Sequence, residues 1–152
     1  MFKLSRKGEY AIRAVLHMAI KGGKCTIEEI ATEQEIPEPF LKKIIQSLRV
    51  GGIVASLKGK SGGVTLRIPA DRLTVNEVIA KIEGPLFLND CLMHEGACIR
   101  DDVCPVHEMW KKSQEAVQKV WIAHNFRDLA KRQLQLVVAK NNGGKTSKVG
   151  GR

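Results

Sequence analysis

The stretch IPEPFLKKIIQSLRVGGIVASLKGKSGGVTL, residues 36–66, decides the fold. Leu41, Ile44, Ile45 and Leu48 stand at i, i+3, i+4 and i+7, the spacing of one buried stripe on a helix. Lys42, Lys43, Gln46 and Ser47 fall on the opposite side. Pro39 suits the first turn, where its missing N–H has no partner to lose, and Gly51-Gly52 ends the helix. Two short β-prone runs follow, residues 53–57 and 64–68, joined by a turn rich in glycine and lysine. This pattern predicts a hairpin with a basic tip.

Outward toward the N-terminus the spacing predicts two more helices. The first covers residues 5–19, with Ala11, Ala14, Val15 and Met18 on one face and Gly22-Gly23 as its stop. The second begins at Thr26 and lasts to about residue 34. Thr26-Ile27-Glu28-Glu29 fits a capping box, in which hydroxyl and carboxylate satisfy each other's exposed amides. Three helices and then a hairpin make the layout of a winged helix-turn-helix, mainly α with a small β wing. In that layout Lys42, Lys43, Gln46 and Ser47 face a DNA groove. Lys58, Lys60 and the amides of Ser61, Gly62 and Gly63 hold phosphate or enter the minor groove.

Charge agrees with this placement. The formal net charge is +9, but residues 1–70 hold 12 cations against 6 acids, whereas residues 71–139 hold 9 against 10. Between Glu38 and Asp71 there is no carboxylate, while Lys42, Lys43, Arg49, Lys58, Lys60 and Arg67 all fall there. Cations gathered without counter-charges are the footprint of a polyanion site; a solvated basic face is the alternative reading. The 43% hydrophobic content supports one packed core, and no apolar run nears the roughly 20 residues needed to span a bilayer. The polar start MFKLSRKGEY does not look like a secretory signal, so a cytoplasmic location is expected. The sequence offers no nucleophile–base pair or nucleotide loop, and an electron carrier has no use for a basic helix and wing.

Past the hairpin, Thr74 and Glu77 form a second capping box, predicting a helix over residues 74–82 that stops at Gly84-Pro85. The loop CLMHEGACIRDDVCPVH, residues 91–107, then places Cys91, Cys98 and Cys104 at gaps of six and five residues, with His107 three positions on. Structural zinc sites bring cysteines in closer pairs, so this slack suits a larger, cluster-like centre, with zinc as the alternative. Pro105 puts Cys104 at a helix N-cap, where free amides and the helix dipole favour a thiolate. His107, in the first turn, points back toward the same centre, and His94 is a lesser candidate inside the loop. Cys25 reads as an ordinary thiol, and His17 and His124 read as packing or surface residues. The long helix over residues 105–124 carries Val106, Trp110, Val117, Val120 and Trp121, a seam wider than one small domain needs. A homodimer is therefore expected. A short segment over residues 125–140 is expected to be helical too, and a disordered basic tail completes the chain. The organisation read this way is a DNA-binding unit (1–70), a connecting helix with the cysteine loop (71–104), a dimerisation helix with a C-terminal helix (105–139), and the tail (140–152).

KLSRKGEYAIRAVLHMA, the residues 36–66 quoted above, and Cys91, Cys98, Cys104 and His107 together resemble the iron–sulfur winged-helix transcriptional regulators of the IscR and NsrR type. The likeness covers roughly residues 2–135. It implies a dimer that binds a double-stranded DNA operator and carries an iron–sulfur cluster, 2Fe–2S favoured and 4Fe–4S the alternative. That cluster would sense iron–sulfur status, nitric oxide or redox state. It also implies that the long helix crosses its dimer mate. Two departures bear on the subtype. Lys42 stands where IscR-like members carry a base-reading glutamate, and the first cysteine gap is one residue longer than in the IscR pattern. Some relatives ligate the cluster with a carboxylate on the first helix, which here makes Glu9 the alternative to His107 as fourth ligand.

Overall fold

The structure, a computed structural model, describes residues 3–59 and 62–143. Helix α1 spans Arg6–Lys21, with the Ser5 hydroxyl accepting the Gly8 N–H and a left-handed Gly22 closing the last turn at φ 69°. Helix α2 spans Ile27–Glu33, and both halves of its Thr26–Glu29 capping box are formed. Helix α3 spans Glu38–Val50 and buries Leu41, Ile44, Ile45 and Leu48, the stripe expected from their spacing. Strands β1 (Val54–Leu57) and β2 (Gly63–Leu66) pair antiparallel, Val54 opposite Leu66 and Leu57 opposite Gly63. The strands differ from the β-prone runs at their ends: Ile53, 1% exposed, precedes β1, and β2 stops at Leu66. Helix α4 spans Val75–Glu83, again behind a complete capping box, at Thr74.

These elements close around one apolar core in which Met18, Ile30, Leu41, Ile44, Leu48, Leu73, Val78 and Phe126 are all buried. Each such side chain contributes on the order of 1.5–3 kcal/mol on burial. Phe126 is the first residue of α6 (Phe126–Gly143), which follows α5 (Pro105–Ala123) across a two-residue turn. The turn is stitched to the segment before α4. The Phe126 N–H donates to Leu73 O at 3.0 Å and the Val75 N–H to His124 O at 3.0 Å. Both C-terminal helices are thus anchored in the winged-helix core.

Two expectations are corrected here. The C-terminal helix is not short, and it continues over residues 140–143, which the sequence reading gave to the tail. The reason is local: no glycine or proline interrupts residues 126–142. Lys60, Ser61 and the remainder of the expected tail, residues 144–152, lie outside the described residues. Among the described residues no helix is long and apolar enough to cross a membrane.

Candidate nucleic-acid interface and cysteine loop

Between α3 and the wing lies an open groove of about 360 Å³. Lys42, Gln46 and Arg49 line it from α3, Ser56, Gly62 and Gly63 from the hairpin, and Thr26 from the start of α2. Helix α3 presents its polar face here because its apolar stripe is fully used in the core. Arg49 sets the groove's floor: its guanidinium donates to Gln46 Oε1 at 2.6 Å and to the Ser56 hydroxyl at 3.4 Å, linking helix and wing. Sequence reasoning counted Arg49 in the basic region but not in the site. Its spacing of three from Gln46 was the available signal. Lys42 is paired with Glu38 at 2.6 Å, one helical turn back. The Ser47 hydroxyl donates to the Lys43 carbonyl at 3.1 Å, so its proton is committed to the helix. Lys43 is exposed on the outer face of α3 and Lys58 on the wing turn, neither among the groove's lining residues.

The cysteine loop lies along the first half of α5, held by the Leu88 N–H donating to Gln114 Oε1 at 3.1 Å. Cys91 sits on a 3-10 turn, Asp90–Leu92, and a second turn, Asp101–Val103, runs into Cys104 at the N-cap of α5. Between them the Cys98 N–H donates to Asp101 Oδ2 at 3.4 Å. All three thiols are free and half-buried. Cys91, Asp101 and His107 line an open cavity of about 450 Å³ together with His94. His107 Nδ1 lies 3.3 Å from Asp101 Oδ1, and both atoms are buried without a hydrogen-bond partner. Loss of solvent pushes the Cys91 thiol up from its ordinary value, and the Asp101 carboxylate, Cys98 and Cys104 add to this. A thiol so placed is what a cationic centre would stabilise as the thiolate.

Two details depart from the sequence reading. Cys104 occupies the N-cap, yet its side chain takes no hydrogen bond from the helix amides. Asp101, which had no assigned role, is the partner of His107. Glu9 is exposed on α1 and does not line the loop cavity of its own chain, in keeping with a ligand that could act only across a dimer. The α5 seam also divides. Trp110, Val117 and Trp121 are half-buried, while Val106 and Val120 are exposed at 53% and 56%, joined by the exposed Met109 at 45%.

A helical bundle that buries one face of α3 and turns the other into a basic groove beside a hairpin defines a winged-helix DNA-binding protein. Residues 4–132 match the Rrf2 family, described as iron-dependent transcriptional regulators, and the chain belongs to that family. It is 31% identical over 139 residues to the HTH-type transcriptional regulator IscR of Xenorhabdus nematophila, covering 90% of this chain and 84% of that one. Among solved structures it is similar to CymR, the global cysteine regulator of B. subtilis. The TM-score is 0.72 at 29% identity, over 87% of this chain and 98% of that one. The IscR of T. potens gives a TM-score of 0.70 at 25% identity, over 87% and 88%. The chain is a DNA-binding transcriptional regulator and not an enzyme.

Proposed function

We propose that this regulator holds an iron–sulfur cluster, 2Fe–2S favoured, in the loop of Cys91, Cys98 and Cys104, and that the state of this centre sets its operator affinity. The observation that carries the reading is the donor set. Three free thiols share one loop with a His107 Nδ1 and an Asp101 Oδ1 that are buried, face each other at 3.3 Å and make no hydrogen bond. The gaps of six and five residues between the three cysteines are wider than those of the close cysteine pairs in structural zinc sites. A centre of two or more irons spreads its ligands further, which favours a cluster. When bound, it supplies a redox-sensitive cation whose loss or damage is the signal.

The chain's own residues transmit that signal. Cys104 is the N-cap of α5, so the loop's shape bears on where α5 begins, and α5 ends on the stitched turn at residues 124–126. Val106, Met109, Ser113, Ala116, Val120 and Ala123 recur at alternating steps of three and four along α5. This is a coiled-coil seam suited to a second copy. A homodimer through α5 places two α3 helices at a fixed separation, and half-sites about one DNA turn, roughly 34 Å, apart are sensitive to small changes in it. Lys42, Gln46 and Arg49 serve as the groove-lining set, Lys43 meets the DNA from the outer face of α3, and Lys58, Lys60, Ser61, Gly62 and Gly63 contact the DNA backbone.

The likeness to the B. subtilis cysteine regulator supports a second reading, in which zinc stabilises the loop and the effector is a different signal. Anaerobic purification separates the two. A cluster gives a brown protein whose visible absorption disappears in Cys91→Ala, Cys98→Ala or Cys104→Ala and persists in Cys25→Ala. A colourless protein with one tightly held zinc overturns the cluster.

A further inference from the structure

The winged-helix unit contains a second group of donors, remote in sequence from the cysteine loop. His17 on α1, Cys25 in the turn after it and Glu29 in the first turn of α2 each bring a ligand atom within 4.8 Å of the other two. Cys25 is 1% exposed. His17 Nε2 is buried with no hydrogen-bond partner and lies 3.8 Å from Glu29 Oε1. An imidazole nitrogen left unpaired in a protein interior costs about 1–3 kcal/mol, so something else must repay it.

We propose that His17, Cys25 and Glu29 form a site for a divalent cation of the zinc class, with water as the fourth ligand. Thiolate, imidazole and carboxylate are all zinc donors, and a tetrahedral site needs ligand–ligand edges of about 3.3–3.8 Å. The His17–Glu29 separation of 3.8 Å already lies at that upper bound, and all three ligand atoms lie within 4.8 Å of one another. The His17 Nδ1 sits 3.3 Å from the Gln34 side-chain amide. With that amide turned to offer its oxygen, Nδ1–H is held and the Nε2 lone pair faces the metal, as in other metal-ligating histidines. Lys21 occupies the carboxylate in the metal-free chain, its Nζ 2.5 Å from Glu29 Oε1. It is half exposed and can swing into water at small cost.

The site bears on DNA binding because Cys25 is also paired with the wing. Its backbone exchanges hydrogen bonds with Val64 of β2. One ion would clamp α1, α2 and the hairpin together, on a different part of the chain from the cysteine loop.

Cobalt is the probe, since a thiolate bound to tetrahedral Co²⁺ gives an intense charge-transfer band. In the full chain carrying Cys91→Ser, Cys98→Ser and Cys104→Ser, one equivalent of Co²⁺ should give that band, and Zn²⁺ should displace it. Adding Cys25→Ser should abolish it and His17→Gln should weaken binding at least tenfold, with circular dichroism unchanged. Lys21→Gln should tighten binding several-fold by releasing Glu29, an effect no purely structural role for Lys21 gives. In the otherwise unaltered chain, Cys25→Ser should bind one cobalt fewer than wild type. No band in the triple variant, or equal stoichiometry with and without Cys25, overturns the site.

Discussion

Cys25 and Val64 exchange two backbone hydrogen bonds: the Cys25 N–H donates to Val64 O at 2.9 Å, and the Val64 N–H to Cys25 O at 2.8 Å. The turn after α1 is therefore a third partner of a wing that has only two strands of its own. A two-stranded hairpin is marginal in water, so this bridge is part of what holds the wing beside α3.

Gly63 tests the bridge. A β-carbon at this position would lie 2.6 Å from the Cys25 carbonyl oxygen, too close to be accommodated without moving the strand. Gly63→Ala should cost about 1–3 kcal/mol in urea unfolding, as overpacking does, and should weaken DNA binding with it. Wild-type stability in this variant would show that the wing does not depend on Cys25.

Arg49 and Lys43 differ in kind. Arg49 lines the groove and joins Gln46 to Ser56, whereas Lys43 stands free on the outer face of α3. Arg49→Ala should loosen the wing and weaken operator binding tenfold or more, and Lys43→Ala should cost about 1–3 kcal/mol of operator binding if it reads a base. If Lys43 meets phosphate instead, the salt dependence should fall by about one unit of slope for all sequences. Anisotropy titrations at several salt concentrations distinguish these results.

Phe126 is fully buried at the start of α6, and its N–H is bonded to Leu73 O. Phe126→Ala should destabilise the fold by about 3–5 kcal/mol, measured by denaturant unfolding. Because the same turn anchors α5, the variant should also dimerise less well.

Val120 and Met109 are exposed on α5 of a single chain. Val120→Glu should shift the protein to monomers in sedimentation while leaving its helicity intact, since the substitution adds charge only to a seam between copies. A monomeric wild type would remove the dimer and with it the coupling proposed for the cysteine loop.

The fourth cluster ligand has two candidates with opposite geometry. His107 is local, in the first turn behind Cys104, while Glu9 reaches a cluster only across a dimer. Ligation by His107 predicts that His107→Ala alters the anaerobic visible circular dichroism and Glu9→Ala leaves it alone. The reverse pattern would make the cluster a bridge between subunits.

The buried stripe of α3, both capping boxes and the Gly22 stop were legible in the amino-acid order because each depends on residues within about two helical turns. So was the grouping of Cys91, Cys98 and Cys104 into one loop. What only the tertiary structure decided involves residues brought together by a change of chain direction. Arg49 reaches Ser56 because the hairpin folds back across α3, and His107 finds Asp101 because a 3-10 turn precedes α5. His17, Cys25 and Glu29 looked unrelated in sequence, at separations of eight and four residues. They meet because Gly22 reverses the chain and packs the start of α2 against the end of α1. Periodicity encodes which face of a helix is buried; where two faces cross depends on the packing of side chains distant in sequence, and no local pattern contains it.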